Sequence, residues 1–132
     1  MAHEGGCYCG ALRYRADGEP LRIFHCHCTI CRRVQGAPVV TWITFPTASW
    51  SWTQGTPAEL KSTAEATRYF CGDCGTHLAF IIDDADELDV TVGSLQDPAA
   101  AEPGYHIFAD TRLPWLRLSG DMPEYDDWGP EV

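Results

Sequence analysis

The spacing of the cysteines constrains this chain more than any other feature. There are seven of them, arranged as a C-x-C pair, a C-x-C-x-x-C triplet and a C-x-x-C pair. They are Cys7 and Cys9, then Cys26, Cys28 and Cys31, then Cys71 and Cys74. A structural zinc site takes four such ligands. Seven cysteines therefore provide one complete site and a set of three, and a metal with three protein ligands keeps a position open for chemistry.

Local backbone geometry indicates which of the paired cysteines meet. Residues i and i+2 of an extended strand point to the same side, so Cys7 and Cys9 should face one metal together. Cys71 and Cys74 lie in the sequence Cys71-Gly72-Asp73-Cys74-Gly75, where glycine permits the positive φ of a tight turn. The sequence thus predicts a four-cysteine site that ties the N-terminus to the middle of the chain.

The cysteine triplet is expected to converge within one local segment. Cys28 follows Cys26 by two residues, as in a strand, and Cys31 lies one helical turn after Cys28. If the segment is extended, His25 and His27 face away from these cysteines and lie beside the site or in the core. The sequence leaves one alternative open, a closed site completed by His25, His27 or His77.

A disulfide framework explains the cysteines less well, because their number is odd. Residues 1–6 have neither the basic region nor the apolar run of a signal peptide, so a cytoplasmic location is expected. The net charge of −10, without a basic stripe, argues against a nucleic-acid partner. No apolar run approaches the length of a membrane span. We expect a single zinc domain over residues 1–132, with its core from about residue 5 to about residue 125.

Hydrophobic patterning predicts a mainly β fold with one short helix. Strands are expected over residues 11–16, 21–25, 39–45, 49–52, 58–62, 67–70, 76–82, 88–92 and 105–109. The helix is expected from Cys28 to Val34, ended by Gly36 and Pro38. The acidic tail after Gly120 is expected to be loosely held. The tryptophans expected in the core or on strand faces are Trp42, Trp50, Trp52 and Trp115, with Trp128 exposed in the tail.

Four motifs, in order along the chain, resemble those of one known family. They are His25-Cys26-His27-Cys28-Thr29-Ile30-Cys31-Arg32-Arg33, Phe70-Cys71-Gly72-Asp73-Cys74-Gly75-Thr76, Val92-Gly93-Ser94-Leu95-Gln96-Asp97-Pro98, and His106-Ile107-Phe108 with Arg112-Leu113-Pro114-Trp115. From about Gly5 to about Tyr125, the chain resembles the glutathione-dependent formaldehyde-activating enzyme family. The resemblance implies an Mss4-like zinc-binding β-sheet fold. It also implies carbon–sulfur lyase chemistry, the reversible joining of glutathione to formaldehyde to give S-(hydroxymethyl)glutathione.

The resemblance further implies a role for each group of cysteines. Cys7, Cys9, Cys71 and Cys74 would hold a structural zinc ion. Cys26, Cys28 and Cys31 would hold a catalytic zinc ion, in a second site that is expected to be only partly occupied.

The residues suggest the partners and one competing function. Arg32 and Arg33 directly follow the triplet and are candidates for binding the carboxylates of a thiol substrate. The expected partners are a small thiol, with glutathione first, and a small aldehyde. The alternative is a zinc-stabilised binding or chaperone-like module in which both metals are structural, because this fold alone does not decide the function.

Overall fold

The computed structural model describes residues 2–130, so both ends of the domain expected over residues 1–132 lie outside the described residues. The strands are β1 (Ala2–Gly6), β2 (Arg13–Asp17), β3 (Arg22–Cys26), β4 (Val40–Pro46), β5 (Trp50–Gln54), β6 (Ala58–Thr63), β7 (Ala66–Phe70), β8 (His77–Ile82), β9 (Glu87–Thr91) and β10 (Tyr105–Ile107). The α-helix is α1 (Thr29–Gln35), which ends at Gly36 with a φ of 61°. The predicted mainly β fold with one short α-helix is confirmed, although the helix begins within the triplet, at Thr29, and not after it. Strand β1 was not predicted, because its polar and glycine residues carry no strand pattern.

The strands form two sheets. The smaller sheet has three strands in the order β1-β2-β5, and the larger has seven in the order β10-β3-β4-β9-β8-β7-β6. Neighbouring strands are antiparallel, except that β10 runs parallel to β3. Among residues 2–130, no helix is long and apolar enough to cross a membrane.

Strand β4 is buried on both faces and separates two apolar clusters. Its alternating side chains place Ile43 and Phe45 in the first cluster, and Val40 and Trp42 in the second. The first cluster is completed by residues such as Tyr14, Leu78 and Val90. The second is completed by Phe24, Cys26, Cys31 and Ile107. The cysteine triplet is therefore built into the second core and not onto the surface.

The register of the larger sheet aligns three polar residues and one phenylalanine in a row on the face of the second cluster. Arg68 of β7 lies opposite Phe80 of β8, Phe80 lies opposite Asp89 of β9, and Asp89 lies opposite Thr44 of β4. Directly opposite residues of antiparallel strands share a face. An arginine and an aspartate distant in sequence are thereby brought to the side of the sheet that carries Cys26.

The C-terminal segment (residues 121–130) lies along β10 and is not loosely held as predicted. The backbone N–H of Tyr125 donates to the carbonyl of His106 at 3.0 Å, and the N–H of Phe108 donates to the carbonyl of Asp127 at 3.2 Å. The reason is that β10 is an edge strand, whose free N–H and C=O groups need partners. Trp128 then packs edge-on against Phe108, with ring centroids 5.2 Å apart.

Trp115 is not part of the core, and the prediction for this residue was wrong. Its side chain is 65% exposed, because it lies in an irregular turn outside the strands. Trp128 is 60% exposed, in agreement with the prediction, although one side of its ring covers Phe108.

Gly5 is expected to be essential for the packing of β1 against the segment that follows β9. It pairs with Tyr14 in β2 and forms a bridge to Leu95, and a Cβ atom at this position would collide with the Ser94 carbonyl and the Tyr14 hydroxyl. Gly5→Ala should therefore destabilise the protein by about 1–3 kcal/mol, the usual effect of overpacking. Urea denaturation of the zinc-loaded protein measures the difference.

Gly93→Ala is the matched control, because a Cβ there has no neighbour within 4 Å. It should change the free energy of unfolding by no more than about 0.5 kcal/mol. Equal stabilities of the two variants would contradict the close approach at Gly5.

Candidate functional site

Four cysteines from two distant segments meet in one cluster. The Sγ atoms of Cys7, Cys9, Cys71 and Cys74 all lie within 4.8 Å of one another. Cys9 Sγ lies 3.6 Å from Cys7 Sγ and 3.7 Å from Cys71 Sγ. Tetrahedral zinc with Zn–S bonds of about 2.3 Å separates its sulfurs by about 3.8 Å, whereas a disulfide bond is about 2.05 Å long. The spacing and the donor set therefore fit a four-thiolate zinc site.

Cys7 and Cys9 converge through a turn and not through the extended strand that the sequence analysis assumed. β1 ends at Gly6, and the N–H of Gly10 donates to the Cys7 carbonyl at 3.2 Å. Gly10 has a φ of 83°, which closes this turn between β1 and β2. The N–H of Leu12 donates to Cys7 Sγ at 3.2 Å and so stabilises a thiolate there.

Cys71 and Cys74 lie in the tight turn that the sequence predicted between β7 and β8. The N–H of Gly75 donates to the Cys71 carbonyl at 2.8 Å, and Gly75 has a φ of 83°. The hydroxyl of Thr76 lies 3.3 Å from Cys74 Sγ and lowers the pKa of this thiol to about 6. The N–H of Tyr8 donates to the same hydroxyl oxygen at 3.1 Å, so a second contact joins the two cysteine turns.

Cys26, Cys28 and Cys31 form the second cluster. Cys26 ends β3, Cys28 is the N-terminal cap of α1, and Cys31 lies in the first turn of α1. Cys26 Sγ is 3.6 Å from Cys31 Sγ, and the N–H of Cys31 donates to Cys28 Sγ at 3.2 Å. Hydrogen bonds from the neighbouring thiols lower the pKa of Cys28 and raise the pKa of Cys26. The three sulfurs have the mutual spacing of zinc ligands.

The histidines beside the triplet lie on the other side of the chain, as the extended segment predicted. His27 Nε2 is 2.8 Å from His106 Nδ1, and the ring of His25 lies 5.1 Å from that of His106. Burial lowers the pKa of His27 to about 4, so its ring is neutral at neutral pH. His77 stacks on Phe70. In the described part of the chain, no histidine nitrogen belongs to either metal-binding group.

Arg68 is a residue of the site that sequence reasoning missed. Its side chain is 3% exposed, and its Nη2 donates to Cys31 Sγ at 3.4 Å. The guanidinium carbon lies 4.9 Å from the centroid of the Phe80 ring and 6.0 Å from that of Trp42. Within residues 2–130, Nε and Nη1 are buried without a hydrogen-bond partner. A cation therefore lies directly against the thiolate cluster.

A cavity of about 530 Å³ opens on the triplet. All three cysteines line it together with Arg68 and Asp89. Neither Arg32 nor Arg33 lines the cavity. Arg32 donates to the Thr111 carbonyl at 3.2 Å, and Arg33 is exposed. That these two arginines bind substrate carboxylates stays a prediction.

Asp89 is the second missed residue of the cavity. Its Oδ1 accepts a hydrogen bond from the Thr44 hydroxyl at 2.5 Å. Burial raises the pKa of Asp89 to about 6, and the hydrogen bond from Thr44 opposes this shift only in part. The sequence pattern of β9 made Asp89 look like a solvent-facing strand residue, and only the strand register shows that it faces the cavity.

Comparisons with known proteins agree with the fold and indicate the family. The family model "Glutathione-dependent formaldehyde-activating enzyme" matches residues 2–111. An uncharacterized lyase from Schizosaccharomyces pombe is 32% identical over 85 residues, which are 59% of this chain and 56% of the relative. The match thus spans little more than half the length of that relative. A crystal structure of a Rhodobacter sphaeroides protein has a TM-score of 0.60 and 22% identity, over 76% of this chain and 96% of the other.

The structural likeness to the Rhodobacter sphaeroides protein shows that the fold is shared. The family model and the lyase relative support a lyase-type function. The match to the family model covers most of the chain and both cysteine clusters. The chain therefore belongs to the glutathione-dependent formaldehyde-activating enzyme family.

Proposed function

We propose that this protein is a zinc-dependent carbon–sulfur lyase that reversibly joins a small thiol to a small aldehyde. One observation carries the proposal. Three cysteines converge in the wall of a cavity, and in the described part of the chain no fourth protein ligand joins them. A metal held there keeps one position free, as catalytic zinc sites do. Glutathione and formaldehyde are the first pair to test, because the family name specifies them.

Cys26, Cys28 and Cys31 are the candidate ligands of the catalytic zinc ion. When bound, zinc supplies the positive charge that keeps a thiol deprotonated, and the thiolate is the nucleophile. Three thiolates and one Zn²⁺ have a total charge of −1. Arg68 offsets this charge through its contact with Cys31 Sγ.

The reaction itself is an addition without oxidation or reduction. The thiol sulfur forms a bond to the carbonyl carbon, and the π-electron pair of the C=O bond moves to the oxygen. The thiol proton ends on that oxygen and gives a hemithioacetal. The reverse reaction breaks the same carbon–sulfur bond and returns the proton to sulfur.

Arg68 is the candidate for stabilising the oxygen that gains negative charge. Its Nε and Nη1 are buried donors without a partner in residues 2–130, and buried donors of this kind favour an anionic acceptor. Phe80 and Trp42 flank the guanidinium and limit its movement. A donor group that is already in place before the charge forms is an effective form of electrostatic catalysis.

Asp89 is the candidate for moving the proton. Thr44 occupies Oδ1, so Oδ2 is the oxygen left to take the proton from the thiol and return it to the hemithioacetal oxygen. A carboxyl group with a pKa of about 6 is mostly ionised at neutral pH, yet it still gives its proton back readily. The charged groups around it are Arg22, Glu87 and Arg68.

Exchange between formaldehyde and glutathione tests the proposed activity. NMR exchange spectroscopy compares wild type with Cys28→Ser at equal zinc loading of the four-cysteine site. Wild type should accelerate the exchange well above the spontaneous rate. Cys28→Ser should lower the catalysed rate by about 10²-fold or more, because one ligand of the triplet is lost. Absence of catalysis with glutathione and with other small thiols would favour the zinc-stabilised binding module.

The four-cysteine site is proposed to be a folding element. Its ligands come from two distant turns, so the free energy of zinc binding contributes directly to folding. Cys74→Ser should yield insoluble or unfolded protein, measured by soluble yield, zinc content and circular dichroism. Cys28→Ser is the matched control and should remain folded with one zinc ion, because the triplet lies in one local segment. A folded Cys74→Ser variant with unchanged thermal stability would remove the structural role.

The pH dependence of the exchange tests Asp89. The ionised carboxylate is the base, so the wild-type rate should fall as the pH drops below about 6. Asp89→Asn should lower the exchange rate at neutral pH by about 10²-fold and abolish the fall of the rate below a pH of about 6. Zinc content must be measured at every pH, so that metal loss is not mistaken for titration of the base.

Asp84→Asn is the control for this experiment. Asp84 is exposed in the β8–β9 turn with a φ of 64°, a conformation that asparagine also adopts. The Asp84→Asn variant should keep the wild-type dependence of the exchange rate on pH. If Asp89→Asn behaves in the same way, Asp89 takes no part in the proton transfer.

A further inference from the structure

The walls of the cavity beside the triplet consist mainly of apolar rings and aliphatic groups. These side chains include Phe24, Trp42, Phe80, Ile107, Phe108 and Trp128. The charged side chains on the wall are Arg68, Asp89 and Glu65. Phe24, Trp42 and Ile107 are each at most 5% exposed, so they form a preformed part of the second core.

Formaldehyde alone is too small to account for this cavity. A water molecule occupies about 30 Å³ in the liquid, and formaldehyde has only two heavy atoms. The volume of about 530 Å³ exceeds what such an aldehyde fills by roughly tenfold. The cavity therefore fits a substantially larger group beside the reacting atoms.

The peptide part of glutathione does not match the cavity either. Glutathione has two carboxylates, one ammonium group and two amides, and each costs free energy when it is buried without a partner. The wall offers one cation, Arg68, and the proposed reaction uses its free donors for the oxygen that gains negative charge, so no second cation is left for a carboxylate. Asp89 and Glu65 on the same wall would repel a carboxylate. The polar part of such a thiol belongs outside the cavity.

One wall of the cavity comes from outside the residues that the family model matches. The match ends at residue 111, whereas Trp128 belongs to the C-terminal segment. The segment is anchored by the hydrogen bond from the Phe108 N–H to the Asp127 carbonyl, and the Trp128 ring packs edge-on against the Phe108 ring. Trp128 is thus a feature of the cavity that the family match does not describe.

We infer that the ligand of this cavity carries one apolar, ring-sized group, and that Trp128 forms a wall of the subsite that receives it. The reacting sulfur and carbon are placed beside the triplet, so this inference rests on the proposed function for the identity of the reactive group. The ring belongs to either the aldehyde or the thiol. The two cases share the same chemistry in the cavity and are separated by the experiment.

Binding of unreactive thioethers tests the inference without turnover. The probes are S-benzylglutathione, S-methylglutathione and benzyl methyl sulfide, titrated into the zinc-loaded full chain and followed through the indole N–H signals of the tryptophans. We expect a probe with a ring to bind about tenfold or more tightly than S-methylglutathione, because a buried phenyl ring contributes that much. If S-benzylglutathione binds more tightly than both other probes, the ring belongs to the aldehyde, because the benzyl group then occupies the place of the aldehyde on the glutathione sulfur. Tight binding of benzyl methyl sulfide alone assigns it to the thiol.

Trp128→Ala should reduce the preference for the ring by about fivefold or more, because one wall is lost. Trp115→Ala is the matched control, since Trp115 is 65% exposed, close to the 60% of Trp128, and does not line the cavity. It should leave the preference unchanged. Equal affinity of all three probes overturns the inference, and an undiminished preference in Trp128→Ala overturns the assignment of the wall.

Turnover separates this inference from the proposed function. The pairs are benzaldehyde with glutathione, formaldehyde with benzyl mercaptan, and formaldehyde with glutathione. A higher kcat/KM for a pair that carries a ring supports the inference. If formaldehyde with glutathione is the fastest pair and the three probes bind equally, the ring subsite is rejected and the proposed lyase activity is retained. Ring-selective binding without catalysis of any pair rejects the lyase and keeps the subsite.

Discussion

The cluster of Cys7, Cys9, Cys71 and Cys74 is the contact on which the rest of the structure depends. It joins the turn between β1 and β2 of the smaller sheet to the turn between β7 and β8 of the larger one. A small β protein has limited apolar surface to bury, so a metal ion bound by these four cysteines would contribute strongly to its stability. The fixed position of β7 in turn holds Arg68 against Cys31.

The two cysteine clusters occupy different positions in the same fold. The first spans two sheets and is formed by turns, whereas the second lies within one segment at the junction of β3 and α1. Because β4 separates two apolar clusters, the triplet has its own core and its own cavity. Side chains around the second cluster can therefore change without altering the contact that the first cluster makes between its two turns.

Much of the fold and the convergence of Cys26, Cys28 and Cys31 could be predicted, because both depend on local patterns. The four-cysteine cluster was predicted from the number of ligands that zinc takes, although the strand geometry assumed for Cys7 and Cys9 was wrong. Alternating strands, the helix ended by Gly36 and the turn at Gly75 follow from residue types at fixed spacing. Arg68 and Asp89 could not be predicted, because their shared face depends on the register of four strands. Strand β1 and the C-terminal segment were missed for a related reason, since pairing with a neighbour orders residues of weak intrinsic preference.

The pairing of the C-terminal segment with β10 also bears on how the protein avoids association with itself. The larger sheet has two edges, β10 and β6. At β6 the exposed side chains of Glu59 and Lys61 place charges along the edge, a common protection against strand addition. At β10 the chain covers the edge with its own backbone. If the segment after residue 120 were removed or pulled away, the backbone groups of β10 would be free to pair with a strand of a second molecule. Proteolysis near residue 120 would therefore promote edge-to-edge aggregation.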